Sequence, residues 1–329
     1  VVFTCGDVNG IGPEIALKAF KKILSKKQKN KIIFVCPKNV FEHYYKLTKA
    51  AFDYRIVENK NFTSSSLNLV ALPDAKLKLG FPTKTSGQIA FESIKKSVSL
   101  INNNLADALV TSPISKEAFG LAKINFPGHT ELLAASEKNH NYMMLFLSNN
   151  IKAGLLTIHT PISKVSKIIT KEKIISAIEL LNKASKQDLK ILNPKIAVLG
   201  LNPHAGENGL IGNEEIKIIS PVIKSLQKKI NVSGPFVPDA FWGNKSYKKF
   251  DVILGMYHDQ VLIPFKLLNF NTGVNFTAGL KLIRTSPDHG TAYDIAGLNS
   301  ADESSIMQSY KYAIKIFKNR KNFIAAASK

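Results

Sequence analysis

Short apolar runs alternate with amphipathic stretches along most of the chain. Runs of strand length fall at residues 1–5, 31–36, 68–72, 108–110, 153–158, 196–200 and 252–256. Between them apolar residues recur at helical spacing. Ile89, Ala90, Ile94 and Val98 predict a helix over 85–101, and further helices are predicted over 13–24, with Pro13 near the first turn, and 41–47. Ser300-Ala301-Asp302-Glu303 reads as a capping box that opens a closing helix. This alternation predicts an α/β protein with largely parallel sheets flanked by helices. No repeat or low-complexity tract interrupts it.

The densest polar clusters stand where the strands end. In open α/β sheets that is the edge at which ligands bind. The run 251–256 empties into Tyr257-His258-Asp259-Gln260, before a helical pattern resumes at Val261. His159 follows the run 153–158, and His204 follows 196–201 within LNPHAGE. One histidine of this kind is usually a hydrogen-bonded structural residue. Three placed alike beyond buried strands point to a metal, because imidazole is the commonest metal ligand and a three-histidine site leaves positions open for substrate.

Two other stretches carry candidate chemistry. Pro127-Gly128-His129-Thr130-Glu131 opens a predicted helix whose amides, with His129 and Thr130, suit an anion. A predicted strand at 273–280 carries Asn275, Arg284 follows in an apolar run, and Pro287-Asp288-His289-Gly290-Thr291 reads as a turn leading into a helix. Arg284 stands out by scarcity, since Arg55 and Arg320 are the only other arginines. Two readings of it are open: a planar fork for carboxylate or phosphate, or a structural ion pair.

The formal net charge is +21, with 45 Lys and Arg against 24 Asp and Glu. Charge of this sign raises nucleic acid as a partner, but the lysines are scattered over helix faces with little aromatic interleaving. A solvated lysine surface is the reading adopted, with no nucleic acid and no membrane as partners. No apolar run approaches the length of a membrane span. VVFTCGDVNG does not read as a signal peptide, and with no initial Met, residues upstream of Val1 are expected. Cys5 and Cys36, the only cysteines, are expected as reduced core residues of a cytoplasmic protein.

Gly6-Asp7-Val8-Asn9-Gly10-Ile11-Gly12-Pro13 occupies the place of a dinucleotide fingerprint and fails its pattern. The third glycine is missing, Pro13 intrudes, and no acid follows the second strand. The glycines fit a tight turn, with helix amides left to face an anion. No Walker loop is present.

Taken together, GDVNGIGPEI, VTSPISK, FPGHTELLA, LLTIHTPIS, LGLNPHAGENGLIGNEE, GPFVPDAFW and nearly all of 251–299 resemble the 4-hydroxythreonine-4-phosphate dehydrogenase family of pyridoxal phosphate biosynthesis. That family commonly has Pro-Ala where Val8-Asn9 stand. The resemblance implies the two-lobed fold of isocitrate and isopropylmalate dehydrogenases. It implies lobes of 1–113 with 271–329, carrying the cofactor loop, and 114–270, carrying metal ligands and dimer contacts. It also implies a homodimer with shared active sites, NAD as cofactor, and a divalent metal (Zn, Mg or Co) on His159, His204 and His258. His129, Thr130, Lys266, Asn275 and Arg284 would contact a small phosphorylated amino-acid substrate. Asp239 would lie near the site and, with Lys266, is a catalytic candidate. Asp288, His289 and Gly290 would meet the cofactor. The implied reaction is NAD-dependent oxidation of 4-phosphohydroxy-L-threonine, followed by decarboxylation. The alternatives are a dehydrogenase of a related sugar-acid phosphate, such as threonate or erythronate 4-phosphate, and a phosphate acyltransferase.

Overall fold

A computed structural model describes residues 1–26, 29–58 and 61–327. Its strands are β1 (Val2–Thr4), β2 (Ile32–Pro37), β3 (Tyr54–Ile56), β4 (Leu67–Leu72), β5 (Leu109–Val110), β6 (Met143–Leu147), β7 (Lys152–Leu155), β8 (Ile196–Leu199), β9 (Val232–Phe236), β10 (Val252–Gly255), β11 (Val274–Ala278) and β12 (Arg284–Pro287). Helices separate most of them, as the sequence predicts. The chain groups into two compact units, Val1–Lys138 with Lys281–Phe317, and Asn139–Leu280 with the chain from Lys318. The sequence reading sets its boundaries instead after residues 113 and 270. Among the described residues no helix is long and apolar enough to cross a membrane.

In the first unit the strands lie in the order β3-β4-β2-β1-β5-β12, all parallel. Parallel neighbours need crossovers, and the helices Gly12–Leu24, Lys38–Leu47 and Lys84–Asn102 supply them. Every residue of β2 is buried, the mark of a strand covered on both faces. The helix Gly12–Leu24 turns Ile15, Ala16, Ala19, Phe20 and Ile23 inward. Phe20 packs edge-on against Phe3, ring centroids 4.9 Å apart, and also against Phe34. Burying such a ring contributes about 1.5–3 kcal/mol, and Phe20→Ala would cost about 3–5 kcal/mol once the cavity is counted. The helix Lys84–Asn102 starts with a reciprocal cap, Thr83 Oγ1 accepting from Ser86 N and Ser86 Oγ accepting from Thr83 N. Cys5 and Cys36 are free and buried here.

The second unit has the order β11-β6-β7-β10-β8-β9. β6 runs antiparallel to both its neighbours, β11 and β7, and β7, β10, β8 and β9 are parallel. The β6–β7 turn is short, so the hairpin must be antiparallel; Ser148 Oγ closes it by accepting from Ile151 N at 2.9 Å. Met144, Phe146, Ile151, Leu199, Ile253, Val261 and Phe265 make one apolar core around these strands.

Several predicted boundaries move. β7 stops at Leu155, so His159 lies beyond a further turn rather than at the strand end. The helix expected to resume at Val261 already starts at His258. The 287–291 turn leads into a short 3-10 turn, Tyr293–Ile295, and not directly into an α-helix. The closing helix is Ser304–Ala327, preceded by Asp302 Oδ1 accepting from Ser304 N, so the predicted start at Ser300 is too early. The backbone before it is already engaged: Ala301 N donates to Glu14 Oε1, and Lys18 Nζ donates to the Asn299 and Ala301 carbonyls.

Candidate active site

Three neighbouring parallel strands of the second unit, β7, β10 and β8, are each followed by one of the candidate histidines. Side chains tie their carboxyl ends together. Thr157 Oγ1 donates to the Met256 carbonyl at 2.7 Å, joining the ends of β7 and β10. Gln260 accepts from Met256 N and donates to the Gly200 carbonyl, both at 2.7 Å, joining the ends of β10 and β8. His159, His204 and His258 are all exposed. His258 begins the helix His258–Asn269, and its Nδ1 lies 2.6 Å from Asp259 Oδ1, a carboxylate that fixes the ring's orientation.

His159 and His204 hold left-handed backbone, with φ of 46° and 52°. His204 starts a run of five such residues through Asn208. Left-handed backbone costs an L-residue about 1–2 kcal/mol, so a run of this kind persists only where surroundings enforce it. As donors, three imidazoles suit a divalent cation. Among the described residues of one chain, however, no three His, Cys, Asp or Glu side chains converge as a cation site.

The helix His258–Asn269 also carries Lys266. With His258, Leu262, Ile263, Leu267 and Phe270 it lines a largely apolar hollow of about 390 Å³. Ile263, Leu267 and Phe270 are exposed there, and Leu268 of the same helix is exposed as well. Asn275, on β11, has a buried Oδ1 without a hydrogen-bond partner among the described residues. Asp239 is exposed in the first turn of the short helix Pro238–Gly243.

In the first unit Arg284 begins β12 and is 2% exposed. Its Nε donates to Thr111 Oγ1 at 2.9 Å. Burial pulls the guanidinium down to about 9, and the Glu131 carboxylate opposes that shift. Arg320, by contrast, is a structural pair, its Nε 2.6 Å from Asp188 Oδ1. His129 and Thr130 begin the helix His129–Ser136 after Gly128. Burial and then the Arg284 charge push the His129 imidazole well below its ordinary value, while a bond to the Ser112 backbone works the other way. His129 Nε2 is shut off from solvent and has no partner among the described residues, so Nδ1 is the nitrogen that donates to the Ser112 backbone. The ring is therefore neutral, with its free lone pair on Nε2, an acceptor waiting for a donor.

Asp288, His289 and Gly290 follow β12, partly or fully exposed, and a side chain at Gly290 would meet nothing within 4 Å. An open glycine beside a strand end is compatible with close approach of a dinucleotide to the backbone. The turn before the helix Gly12–Leu24 is not such a site. Its residues are buried, and Ile11 N is spent on the Thr291 carbonyl at 3.0 Å. The Ile11 amide therefore faces protein rather than an anion.

Among the described residues Asp7, Glu14, Asp188 and Glu215 are buried carboxylates that the sequence does not mark as such. Asp7 and Glu215 stand in legible polar motifs, GDVNG and GNEE, but motif letters do not say which acids turn inward.

Residues 27–313 match the family described as pyridoxal phosphate biosynthetic protein PdxA. A relative from Sulfurihydrogenibium sp. (strain YO3AOP1), named 4-hydroxythreonine-4-phosphate dehydrogenase, is 41% identical over 98% of this chain and 99% of its own length. This chain belongs to the PdxA family. Another relative, from Oceanobacillus iheyensis, is named a putative D-threonate 4-phosphate dehydrogenase and is 35% identical over 95% of this chain and 96% of its own length. The crystal structure of the Klebsiella pneumoniae 4-hydroxythreonine-4-phosphate dehydrogenase superposes with a TM-score of 0.83 at 33% identity, covering 96% of this chain and 97% of that one. An isocitrate dehydrogenase from Methylococcus capsulatus shares the fold at a TM-score of 0.51 and 12% identity, over 97% of this chain and 86% of that one. The PdxA chain thus has the isocitrate dehydrogenase-like α/β fold that its motifs imply.

Proposed function

We propose that this PdxA-family chain oxidises 4-phosphohydroxy-L-threonine with NAD in pyridoxal phosphate biosynthesis. The carbon bearing the free hydroxyl loses hydride to NAD, and the hydroxyl loses its proton. The product, 2-amino-3-oxo-4-phosphooxybutanoate, is a β-keto acid and loses carbon dioxide to give 3-amino-2-oxopropyl phosphate. The observation that carries this reading is the row of histidines beyond β7, β10 and β8, found in a chain 41% identical to a relative named for this activity.

The roles follow from the chemistry of each side chain. His159, His204 and His258 would hold the divalent metal, Zn, Mg or Co, and when bound it supplies Lewis acidity to the substrate hydroxyl. Arg284 offers a buried planar fork to phosphate or carboxylate. His129, neutral and with Nε2 unengaged, accepts a hydrogen bond from a substrate hydroxyl or ammonium. Asn275 Oδ1 is a second buried acceptor of this kind, and each such atom is costly until a ligand donor meets it. Thr130 and Lys266 add a hydroxyl and a positive charge for the substrate. Lys266 and Asp239 are the candidates for proton movement. Asp288, His289 and Gly290, in the lobe assigned to cofactor, would meet NAD.

A homodimer with shared metal sites belongs to the same reading. The exposed Ile263, Leu267, Leu268 and Phe270 beside His258 supply an apolar surface that a second copy would bury. Cytoplasmic action fits free, buried Cys5 and Cys36.

The experiment is NADH formation from 4-phosphohydroxy-L-threonine, with and without a chelator. Turnover that survives complete metal removal, or no turnover with metal present, would overturn the proposal. D-threonate 4-phosphate belongs in the same panel, because one relative at 35% identity is named for it. A higher kcat/KM with that sugar acid would favour the second reading.

A further inference from the structure

The left-handed run His204–Asn208 needs an external cause, and the buried carboxylate of Glu215 supplies one. Glu215 is 2% exposed and begins a short π-helical turn, Glu215–Ile219. Its Oε1 accepts from Leu201 N at 2.7 Å and from Asn202 N at 2.8 Å, and its Oε2 accepts from Asn202 Nδ2 at 2.9 Å. Asn202 Nδ2 also donates to Glu214 Oε2 at 2.8 Å. The same carboxylate lies against Gly200, before the run, and Gly206, within it. A Cβ on Gly206, where φ is 82°, would come within 2.7 Å of Glu215 Oε2, and one on Gly200 within 3.2 Å of Oε1.

We propose that Glu215 is a positioning residue that holds the backbone of the 201–208 segment so that the His204 imidazole stands ready for a divalent cation. The proposal rests on the reading of His204 as a metal ligand. Three charge-assisted bonds within three residues of His204 fix where the chain leaves β8. The close approach of the carboxylate to Gly206 leaves no room for a Cβ in the middle of the left-handed run. A ligand held in place by its surroundings binds metal more tightly, because less ordering remains to be done when the cation arrives.

Glu215→Gln tests this. One carboxylate oxygen becomes an amide donor, so either the Asn202 side chain or the two backbone amides lose their acceptor. Zinc(II) and cobalt(II) are titrated into the metal-free full chain against a competing chelator. The variant should bind about 10- to 100-fold more weakly than wild type. Its turnover with NAD should recover at saturating metal, whereas that of His204→Ala should not. Asn202→Ala, which keeps the Glu215 bonds to backbone amides, should shift affinity the same way by less, and it decides the matter if Glu215→Gln does not fold. Wild-type metal affinity in both variants would overturn the role of Glu215 while leaving the metal assignment standing. A wild-type chain that takes up neither cation would overturn the ligand reading, and this proposal with it.

Discussion

Tyr293 donates its phenolic hydrogen to Asp7 Oδ2 at 2.8 Å, joining the start of the chain to the segment that follows β12. Asp7 is buried, and the same oxygen accepts from Ser86 Oγ at 2.9 Å. Burial raises the Asp7 carboxyl above its ordinary value, while bonds from Asn9, Tyr293 and Ser86 pull it back. The Tyr293 segment has little regular structure of its own, so Asp7, Ile11, Glu14 and Lys18 fix its course. Asn9, where the family commonly has Ala, extends the arrangement: its Nδ2 donates to the Phe81 carbonyl and its Oδ1 accepts from Lys78 N.

Removing the phenolic hydroxyl with Tyr293→Phe should loosen residues 288–300 and weaken NADH. A hydrogen bond to a charged group is worth about 1.5–3 kcal/mol, of which only part reaches the cofactor, so the dissociation constant should rise up to about tenfold. The KM for the phosphorylated substrate should stay within about twofold. Fluorescence titration with NADH reads the first quantity and steady-state kinetics the second. Unchanged NADH affinity would separate this segment from the cofactor.

Acid should destabilise the protein through His129. Its folded-state value lies well below the ordinary 6.5, so below that pH the unfolded chain binds the extra proton and the folded chain does not. The contribution is full above pH 6.5 and is lost as pH falls, by at most about 1.4 kcal/mol per pH unit for one proton. His129→Asn cannot take that proton, so its stability should fall less steeply with acid. Urea unfolding of both proteins between pH 7.5 and 5 measures the difference in slope. Parallel slopes would mean that His129 is not held neutral.

Arg284→Lys keeps a positive charge and loses the planar fork. The KM for the phosphorylated substrate should rise by about tenfold or more, with KM for NAD little altered. An unaltered substrate KM would assign Arg284 to the structural role that Arg320 plays with Asp188.

Sharing of the metal site between two copies can be read from complementation. If His159 and His204 of one site come from different chains, His159→Ala and His204→Ala homodimers are both inactive. A mixed dimer keeps one complete site. Random assortment makes about half the dimers mixed, so co-refolding should return about a quarter of wild-type activity. A tagged pull-down verifies that mixed dimers form, and inactivity of those dimers would assign both ligands to one chain.

Much of the fold was legible because buried parallel strands leave a plain mark. β2 and β10 are continuous apolar runs with no polar face, and the helix Gly12–Leu24 shows proline at its start and apolar residues at helical spacing. The histidines could be set beyond strand ends for the same reason, since a run of apolar residues stops where the chain meets solvent or a ligand. Less regular segments were misread. Residues 287–303 carry turn and cap signals that are real in isolation, but Glu14, Lys18 and Asp7 take up their hydrogen-bonding groups first.

By itself the sequence determined the alternation of strands and helices and the family the chain belongs to, because motif letters and burial periodicity are local properties of the chain. Only the tertiary structure decided that β7, β10 and β8 are neighbours, since strands distant in sequence pair by topology. It also decided that His129 keeps Nε2 free, and that the acids at 7 and 215 turn inward while Asp239 faces solvent. The physical reason is the same in each case. Hydrogen-bond partners and desolvation are set by groups far away in the chain, and a carboxylate reads the same in sequence whether it meets water or three backbone and side-chain donors.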